Sequence, residues 1–279
     1  MAFMMHCNKL SFIPKKNVAK ITFIDYKTYF CSCMSQMYNV INLPSVDSTN
    51  NYAKGLLKTS RPAEFTVIST DYQTGGRGQG INRWYSENER SLTFSMIFYP
   101  GFLSPDRQYS LSQCVAAGIC DFLNFYCVNA RIKWPNDIIV ADRKIAGILI
   151  ENSIGKDLLT WSVAGIGLNV NQTMFPEDLS QAVSMRMHTG QGYKVNELLP
   201  QLIEAIICRY RILNEKPEII SRDFHSLLYR LNQQVVFSFS GYRLQGVIQG
   251  VDNSGRLLLK TAEGIVIPVI HGEGEWIPA

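Results

Sequence analysis

The chain of 279 residues is long enough for one large domain with a small one, or for two of middling size. Hydrophobic residues make up 46% of it and charged residues 18%, a balance that suits a folded protein with a substantial core. The net charge of +4 is scattered rather than gathered into the basic run of a nucleic-acid binder, so it argues against DNA and suits a small anionic ligand.

The seven cysteines argue against a disulfide framework, because their number is odd and no secretory signal precedes them. Their spacings also match no zinc pattern. Polar residues interrupt the most apolar early segment, 21–43, and no run reaches the length of a membrane span. We therefore expect a cytoplasmic protein without a membrane partner.

Residues 1–36 show no sustained strand or helix period and match nothing downstream. We expect residues 1–37 to be a poorly ordered N-terminal extension, or to lie upstream of a true start at Met34 or Met37. A small appended element is the alternative.

The first clear elements are a short strand at 38–43 and a helix that follows it. Asp47 or Ser48 is placed to cap this helix. Its apolar residues recur at helical spacing: Tyr52, Ala53, Leu56 and Leu57. The cluster Ser48, Thr49 and Asn50 holds more polar groups than one cap needs. Two interpretations stay open for it, plain capping and contact with a ligand.

A glycine-dense, basic loop at 73–84 lies between two runs typical of strands, 65–70 and 91–99. Glycine has no side chain to bury and costs entropy to order, so four glycines within positions 75–80 indicate close backbone approach rather than packing. Arg77 and Arg83 add fixed charge, and backbone N–H groups of such loops can hold an anion. Taken alone, the loop is compatible with an anion-binding lid or with a mobile hairpin carrying solubilising arginines.

The middle of the chain alternates sheet-forming runs irregularly with helices. The sequence predicts helices at 106–127, 196–213 and 217–231, and strands at 130–140, 144–151 and 158–170, with a hairpin turn at 141–143. Pro135 interrupts the first of these strands. This order favours an α+β fold with a mixed or antiparallel β-sheet over a doubly wound one.

After residue 231 the sequence changes to short strands separated by turn signals. They fall at 235–239, 243–248, 256–260 and 265–269. Such a run is typical of a small β-barrel of SH3-like size. We therefore predict two domains after the extension, at 38–231 and 232–279.

Polar groups of the middle segment carry the chemistry. Lys133 lies in an apolar strand, where a lysine is costly to bury unless it is paired or faces a cleft. Asn136 and Asp137 follow it with the oxygen ligands that magnesium uses beside nucleotide phosphates. Lys144 and Gly147 again place a cation near a glycine that allows close approach. Each lysine taken alone is more typical of a surface position at a strand end.

The order of these motifs is informative. They are Asp47 to Asn50, the loop 73–84, Lys-Trp-Pro-Asn-Asp at 133–137, Lys-Ile-Ala-Gly-Ile-Leu-Ile-Glu at 144–151 and Gly-Ile-Gly-Leu-Asn at 165–169. In this order they resemble the biotin–protein ligases over about residues 40–278. The motif at 133–137 is especially specific.

The resemblance implies a catalytic domain related to class II aminoacyl-tRNA synthetases, built on a mixed sheet and followed by the SH3-like domain. It implies that ATP, with Mg²⁺, activates biotin to biotinyl-5′-AMP. A lysine of a biotin carboxyl carrier protein, or of the carrier domain of a biotin-dependent carboxylase, would then take the biotinyl group. Both substrates are anions, so their reaction requires preorganised positive charge.

The resemblance also assigns roles to single residues. Biotin would contact Ser48, Thr49, Asn50, Gln73, Gly76, Arg77, Gly78, Gln79, Lys144 and Gly147. ATP would contact Arg77, Trp84, Lys133, Asn136, Asp137, Lys144 and Asn169, with Asp137 acting indirectly on the magnesium. The catalytic residues would be Arg77, Lys133 and Lys144, which stabilise charge on the reacting groups.

The loop departs from the fuller family pattern at three positions. Gln79 and Asn82 stand where many members carry arginine, and Ile81 stands where they carry glycine, which stiffens a usually permissive position. Fewer cations should hold the mixed anhydride less tightly. We therefore expect faster leakage of biotinyl-AMP than in an arginine-rich relative.

About 40 residues precede the ligase core, too few for the winged-helix domain with which some members repress transcription. We therefore expect a monofunctional ligase that binds no DNA, with a weak homodimer left open. The rival of the same fold is a lipoate or octanoate ligase or transferase. The alternative of another class is a biotin-responsive regulator or a non-catalytic binding module, against which the joint presence of Arg77, Lys133 and Lys144 argues.

Overall fold

The computed structural model describes residues 37–126, 128–239 and 242–277. The expectation for residues 1–36 lies outside these ranges, as does residue 127, the last of the helix predicted at 106–127. Two sheets run through the described chain, one of seven strands and one of five, with helices packed on the larger. The α+β class predicted from the sequence is confirmed.

The larger sheet is mixed. Its strands are β1 (Asn39–Val46), β2 (Thr66–Gln73), β3 (Ser91–Phe98), β4 (Arg131–Lys133), β5 (Asp137–Val140), β6 (Arg143–Ile154) and β7 (Leu159–Asn169). They lie in the order β1-β2-β3-β7-β6-β5-β4, with β1 and β2 parallel and the other neighbours antiparallel. The predicted strand at 130–140 is thus two antiparallel strands, β4 and β5, with Pro135 in the turn between them.

Helices cover the two faces of this sheet unequally. The α-helices are α1 (Thr49–Thr59), α2 (Tyr109–Phe125), α3 (Met185–Thr189), α4 (Val195–Glu215) and α5 (Pro217–Leu227), with 3₁₀ turns at Pro105–Arg107 and Glu177–Leu179. On one face, α2, α4 and α5 bury a core that includes Phe94, Ile119 and Ile206. On the other face, α1 packs through Ala53 against Ile68. The part of that face beside α1 holds the cavity described below.

Two helices differ from the prediction. The short helix α3 was not predicted, and α5 ends at Leu227 instead of 231. The chain leaves α5 because Tyr229 N donates to Ile132 O (2.8 Å) and Arg230 takes a positive φ of 56°. None of the helices in the described ranges is long and apolar enough to cross a membrane.

The smaller sheet is antiparallel. It comprises β8 (Gln234–Phe239), β9 (Tyr242–Val251), β10 (Leu257–Lys260), β11 (Val266–Val269) and β12 (Gly274–Ile277), in the order β11-β10-β9-β8-β12. The sequence did not predict β12. Trp134 Nε1 donates to Gly255 O (2.8 Å), and Trp276 Nε1 donates to Trp134 O (3.2 Å). The first bond fixes the turn between β9 and β10 beside the turn between β4 and β5, and the second fixes β12 there.

Candidate active site

A cavity of about 690 Å³ opens on the α1 face of the larger sheet. Most of the predicted site residues line it: Ser48, Thr49, Asn50, Gln73, Arg77, Gly78, Gln79, Trp84, Lys133, Asn136, Asp137, Lys144 and Gly147. Gly76 and Asn169 lie outside this lining. Gly76 O accepts from Trp84 N (3.0 Å) at the base of the loop, and Asn169 Nδ2 donates to Val183 O (3.2 Å).

One end of the cavity is neutral and hydrogen-bonded. Thr49 N and Oγ1 both donate to Gln73 Oε1, at 2.8 and 3.2 Å. Ser95 Oγ lies 2.7 Å from Thr49 Oγ1 and 2.6 Å from Asn50 Oδ1. All four side chains are buried. The Gln73 oxygen is therefore committed to Thr49, which leaves the Gln73 amide nitrogen for another acceptor.

Ser48 stands at the N-cap of α1, but its side chain makes no capping hydrogen bond. Asp47, the other predicted cap, accepts instead from Asn51 Nδ2 (2.7 Å). The Ser48 hydroxyl therefore lies at the cavity wall without serving the helix end. This favours the ligand interpretation of the cluster over plain capping.

Strand β3 contributes two hydroxyls that sequence reasoning missed. Thr93 and Ser95 alternate with the core residue Phe94, so they face the cavity side of the sheet. The period of two along 91–98 was the available signal. The Thr93 hydroxyl is buried, and it has no hydrogen-bond partner among the described residues. Since Thr93 also lines the cavity, its hydroxyl is available to a ligand.

The other end of the cavity is cationic. Lys144 Nζ lies 2.5 Å from Asp137 Oδ1. Lys133 is half-buried nearby, with its ammonium 5.5 Å from the centre of the Trp276 ring. Burial lowers the pKa of Lys133, the charges of Lys144 and Arg230 lower it further, and Asp137 opposes them. Over the whole lining, four cations (Arg77, Arg83, Lys133 and Lys144) outnumber two carboxylates (Asp137 and Asp178), which leaves net positive charge for an anion.

Arg77 reaches toward α1 and β6 from the loop. Its Nη1 donates to Asn51 Oδ1 (3.0 Å) and lies 3.1 and 3.2 Å from the two oxygens of Glu151. Glu151 also accepts from Lys54 Nζ (2.7 Å) and Asn50 Nδ2 (2.9 Å). Burial opposes ionisation of Glu151, but the hydrogen bonds from Lys54 and Asn50 and the charges of Arg77 and Lys54 outweigh it and lower the pKa of the carboxyl. The sequence motif at 144–151 ends on Glu151 but gives it no role.

Trp84 forms one wall of the cavity and packs against glycines of β6 and β7. A Cβ atom built on Gly167 would overlap the indole at Cε2, and one on Gly147 would lie 3.2 Å from Cζ3. A Cβ on Gly165 would overlap Asn50 Oδ1. Trp84 Nε1 is buried without a hydrogen-bond partner in the described part of the chain. Close approach from the opposite wall therefore explains the glycines at 165 and 167.

The loop closes on itself as a tight turn. Gly78 N donates to Asn82 O (2.8 Å), and Gly80 takes the positive φ, +64°, that the turn needs. Ile81 is fully exposed and keeps a φ outside the left-handed region. Gly80 is thus the residue of this turn that adopts the left-handed conformation, and Ile81 is exposed to solvent. Gln79 and Asn82 line the cavity.

The smaller sheet completes the lining with His271, Gly274 and Trp276. No motif in the sequence indicates these residues, because their place depends on how β12 sits against the β4–β5 turn. They lie at the cationic end, since Trp276 is the aromatic ring beside Lys133.

Two family models match the sequence. One, described as the biotin/lipoate A/B protein ligase family, matches residues 43–170. The other, the biotin protein ligase C terminal domain, matches residues 231–272. The two matches follow the order of the larger and the smaller sheet.

Known proteins resemble the chain over most of its length. The bifunctional ligase/repressor BirA of Bacillus subtilis is 30% identical over 227 residues, which span 79% of this chain and 69% of that protein. BirA of Escherichia coli is 27% identical over 84% of this chain and 73% of its own. The structure of biotin protein ligase from Aquifex aeolicus in complex with biotin and ATP is 26% identical, covers 86% of this chain and 99% of its own, and has a TM-score of 0.72. The chain belongs to the biotin/lipoate A/B protein ligase family, among its biotin protein ligases.

Proposed function

We propose that this chain is an ATP-dependent biotin–protein ligase. One observation carries the proposal: a single cavity has a neutral hydrogen-bonding end at Gln73 and a cationic end at Lys133 and Lys144. Biotin has two matching ends, a ureido ring that donates and accepts hydrogen bonds and a carboxylate. The similar ligase of Aquifex aeolicus is solved with biotin and ATP.

The reaction has two steps. A carboxylate oxygen of biotin attacks the α-phosphorus of ATP, and the bond to the leaving pyrophosphate breaks. The amine of an acceptor lysine then attacks the carbonyl of biotinyl-5′-AMP, AMP leaves, and the amine loses a proton as the amide forms. Arg77, Lys133 and Lys144 stabilise the charge on the phosphoryl and carbonyl oxygens, because preorganised cations need little reorganisation during the reaction.

The head group of biotin is assigned to the neutral end. The Ser48 hydroxyl and the Gln73 amide nitrogen supply hydrogen bonds to the ureido ring. The Ser48 hydroxyl makes no capping hydrogen bond, and the Gln73 oxygen already accepts from Thr49, so the Gln73 nitrogen is left for the ligand. Asn50 contributes through the same cluster. At the other end, Trp84 is the wall against which the adenine packs.

Magnesium prefers oxygen ligands and usually binds through one or two carboxylates together with substrate phosphates. Within the described ranges, no group of three or more acidic, histidine or cysteine side chains could hold a metal ion. Asp137 is a carboxylate beside Asn136, and it pairs with Lys144. These residues fit an ion held mainly by the phosphates of ATP and by water, with Asp137 acting on it indirectly.

The acceptor we propose is a lysine of a biotin carboxyl carrier protein or of the carrier domain of a biotin-dependent carboxylase. We also propose a cytoplasmic location. Cys114, Cys120 and Cys208 are free thiols, as a reducing compartment requires.

The direct test is to incubate the chain with biotin, ATP, magnesium and an acceptor domain, and to follow labelling of the acceptor. Lipoate with its own carrier is the control for the rival ligase. Arg77→Ala and Lys133→Ala should each lower turnover by at least about tenfold, which corresponds to about 1.4 kcal/mol of transition-state stabilisation. Near-normal turnover of both variants would overturn the assigned roles.

The loop composition predicts how well the intermediate is retained. Gln79 lines the cavity without a charge, so biotinyl-AMP should leave faster than from the variant Gln79→Arg. Hydroxylamine traps the released intermediate and measures its rate of loss. Equal rates in the two proteins would show that the missing charge has no effect on retention.

A further inference from the structure

The Arg77 guanidinium is anchored through one nitrogen. In the chain as described, its side-chain hydrogen bonds all run through Nη1, to Glu151 and Asn51. The Nε and Nη2 donors therefore remain available to a ligand while Nη1 stays on the protein. Because Arg77 lines the cavity, an anion there can bind without displacing the anchor.

Glu151 is built into the cavity side of the sheet. It lies on β6 in the same alternation as Gly147, while Ala146 and Ile148 face the helices. Lys54 donates to one oxygen of its carboxylate, Oε1, and Asn50 donates to the other, Oε2. Lys54 and Arg77 both pair with it, so the carboxylate is held by two cations, of which only Arg77 lines the cavity.

The same carboxylate connects the neutral end of the cavity to Arg77 in the loop. Asn50 donates to Glu151 through Nδ2, and its Oδ1 lies 2.6 Å from Ser95 Oγ, which contacts Thr49. Thr49 in turn holds Gln73. One chain of hydrogen bonds thus runs from the neutral end to the loop arginine.

We propose that Glu151 is a positioning residue that holds Arg77 so that its remaining donors meet the carboxylate of biotin. The inference rests on the function proposed above. A long arginine side chain loses rotamer entropy when it is fixed, and an anchor removes that cost before the ligand arrives. Gln79 and Asn82 add no charge beside Arg77, so Arg77 and Arg83 are the cations that this loop brings to the cavity.

The test compares two ligands on one variant. Glu151→Gln keeps an oxygen that can accept from Asn50 but removes the charge that holds Arg77. Calorimetry should show binding of biotin weakened by about tenfold, the size expected for coupled charged residues in contact. Binding of biotinol, which has an alcohol in place of the carboxylate, should change by less than about twofold. The ratio of the two affinities in one preparation does not depend on the folded fraction.

Two further variants test whether Glu151 affects biotin binding through Arg77 rather than through Lys54. Lys54→Met removes the other cation on Glu151 and should change biotin affinity by less than about twofold, because Lys54 does not line the cavity. In an Arg77→Ala background, Glu151→Gln should have no further effect on biotin binding. If Glu151→Gln fails to fold, Glu151→Asp keeps the charge but shortens its reach, and it should show the same selective loss.

Three results would overturn the inference: equal losses for biotin and biotinol, no loss for either, or tighter binding of biotin. The first would mean that Glu151 acts on the head group through Asn50, and the last that it competes with the ligand for Arg77. Failure of the unchanged protein to bind biotin would overturn the proposed function itself, so the two failures are distinguishable.

Discussion

Gly165 and Gly167 show how single residues set the shape of the cavity. Both lie in the C-terminal half of β7, and a side chain at either would overlap an atom of the opposite wall. The sequence shows these glycines only as part of a motif. Their physical cause becomes visible once Asn50 and Trp84 are placed across from them.

Gly167→Ala should displace the Trp84 indole, because the new methyl group would overlap it. Since small misplacements of binding groups are costly, we expect formation of biotinyl-AMP to slow by about tenfold or more, as measured by pyrophosphate exchange. The control is Gly55→Ala in α1, where a Cβ atom meets nothing within 4 Å.

Alanine favours a helix over glycine by about 1 kcal/mol, so Gly55→Ala should keep full activity and raise the melting temperature. Similar losses of activity in both variants would contradict the role of the Trp84 wall.

At the scale of elements, a regular spacing of apolar residues was enough to predict a long helix. The helix α4 was predicted because residues such as Leu199, Leu202 and Ile206 recur on one face, and they are buried in the structure. Five residues in α3 are too few for a helical period to show, and β12, unlike the equally short β10 and β11, has only two apolar residues. Strand β1 continues to Val46, past Pro44, because proline is tolerated on an edge strand.

The candidate site was likewise predicted only in part from the sequence. The order of the motifs predicted that Arg77, Lys133 and Lys144 would meet, and the structure brings them to one cavity. The partners Ser95 and Glu151 were not predicted as such. Their contacts join residues 45 and 101 positions away, so only the pairing of β3, β6 and β7 under α1 reveals them.

The three helices on the core face are joined by two ion pairs that share the buried Arg209. Arg209 of α4 donates to both oxygens of Asp121 in α2 (2.5 and 2.9 Å) and to Asp223 in α5 (2.6 Å). We expect Arg209→Met to lower the free energy of unfolding by about 3–5 kcal/mol, because Asp121 would stay buried without the guanidinium. Denaturant titration measures this change.

The matched control is Arg222→Met, which removes an arginine that is 68% exposed and pairs with the same Asp223 at 2.9 Å. Exposed ion pairs contribute about 0–1 kcal/mol, so this variant should unfold almost as the unchanged protein does. Equal destabilisation by the two substitutions would show that burial of Arg209 is not the cause.

At the scale of the whole molecule, the cavity depends on both sheets. The larger sheet supplies the cations, and β12 of the smaller sheet supplies the ring beside Lys133. A lysine ammonium within about 6 Å of an indole gains cation–π attraction, which partly compensates the burial that lowers the pKa of Lys133. The smaller sheet is therefore part of the cavity wall as well as a packing partner.

Trp276→Leu tests this dependence. The variant loses both the ring near Lys133 and the hydrogen bond to Trp134 O, so the lysine should sample more positions. We expect pyrophosphate exchange to slow by about tenfold. Biotin affinity should stay within about twofold, because we propose that the head group binds at the opposite end of the cavity.

Tyr242→Leu is the control, since it removes an aromatic ring from the same sheet at a position that is 80% exposed. It should leave pyrophosphate exchange unchanged. Equal slowing in both variants would attribute the effect to the stability of the smaller sheet. Slowing in Trp276→Leu alone, with biotin affinity preserved, would show that this sheet acts on catalysis by fixing Lys133 from outside the larger sheet.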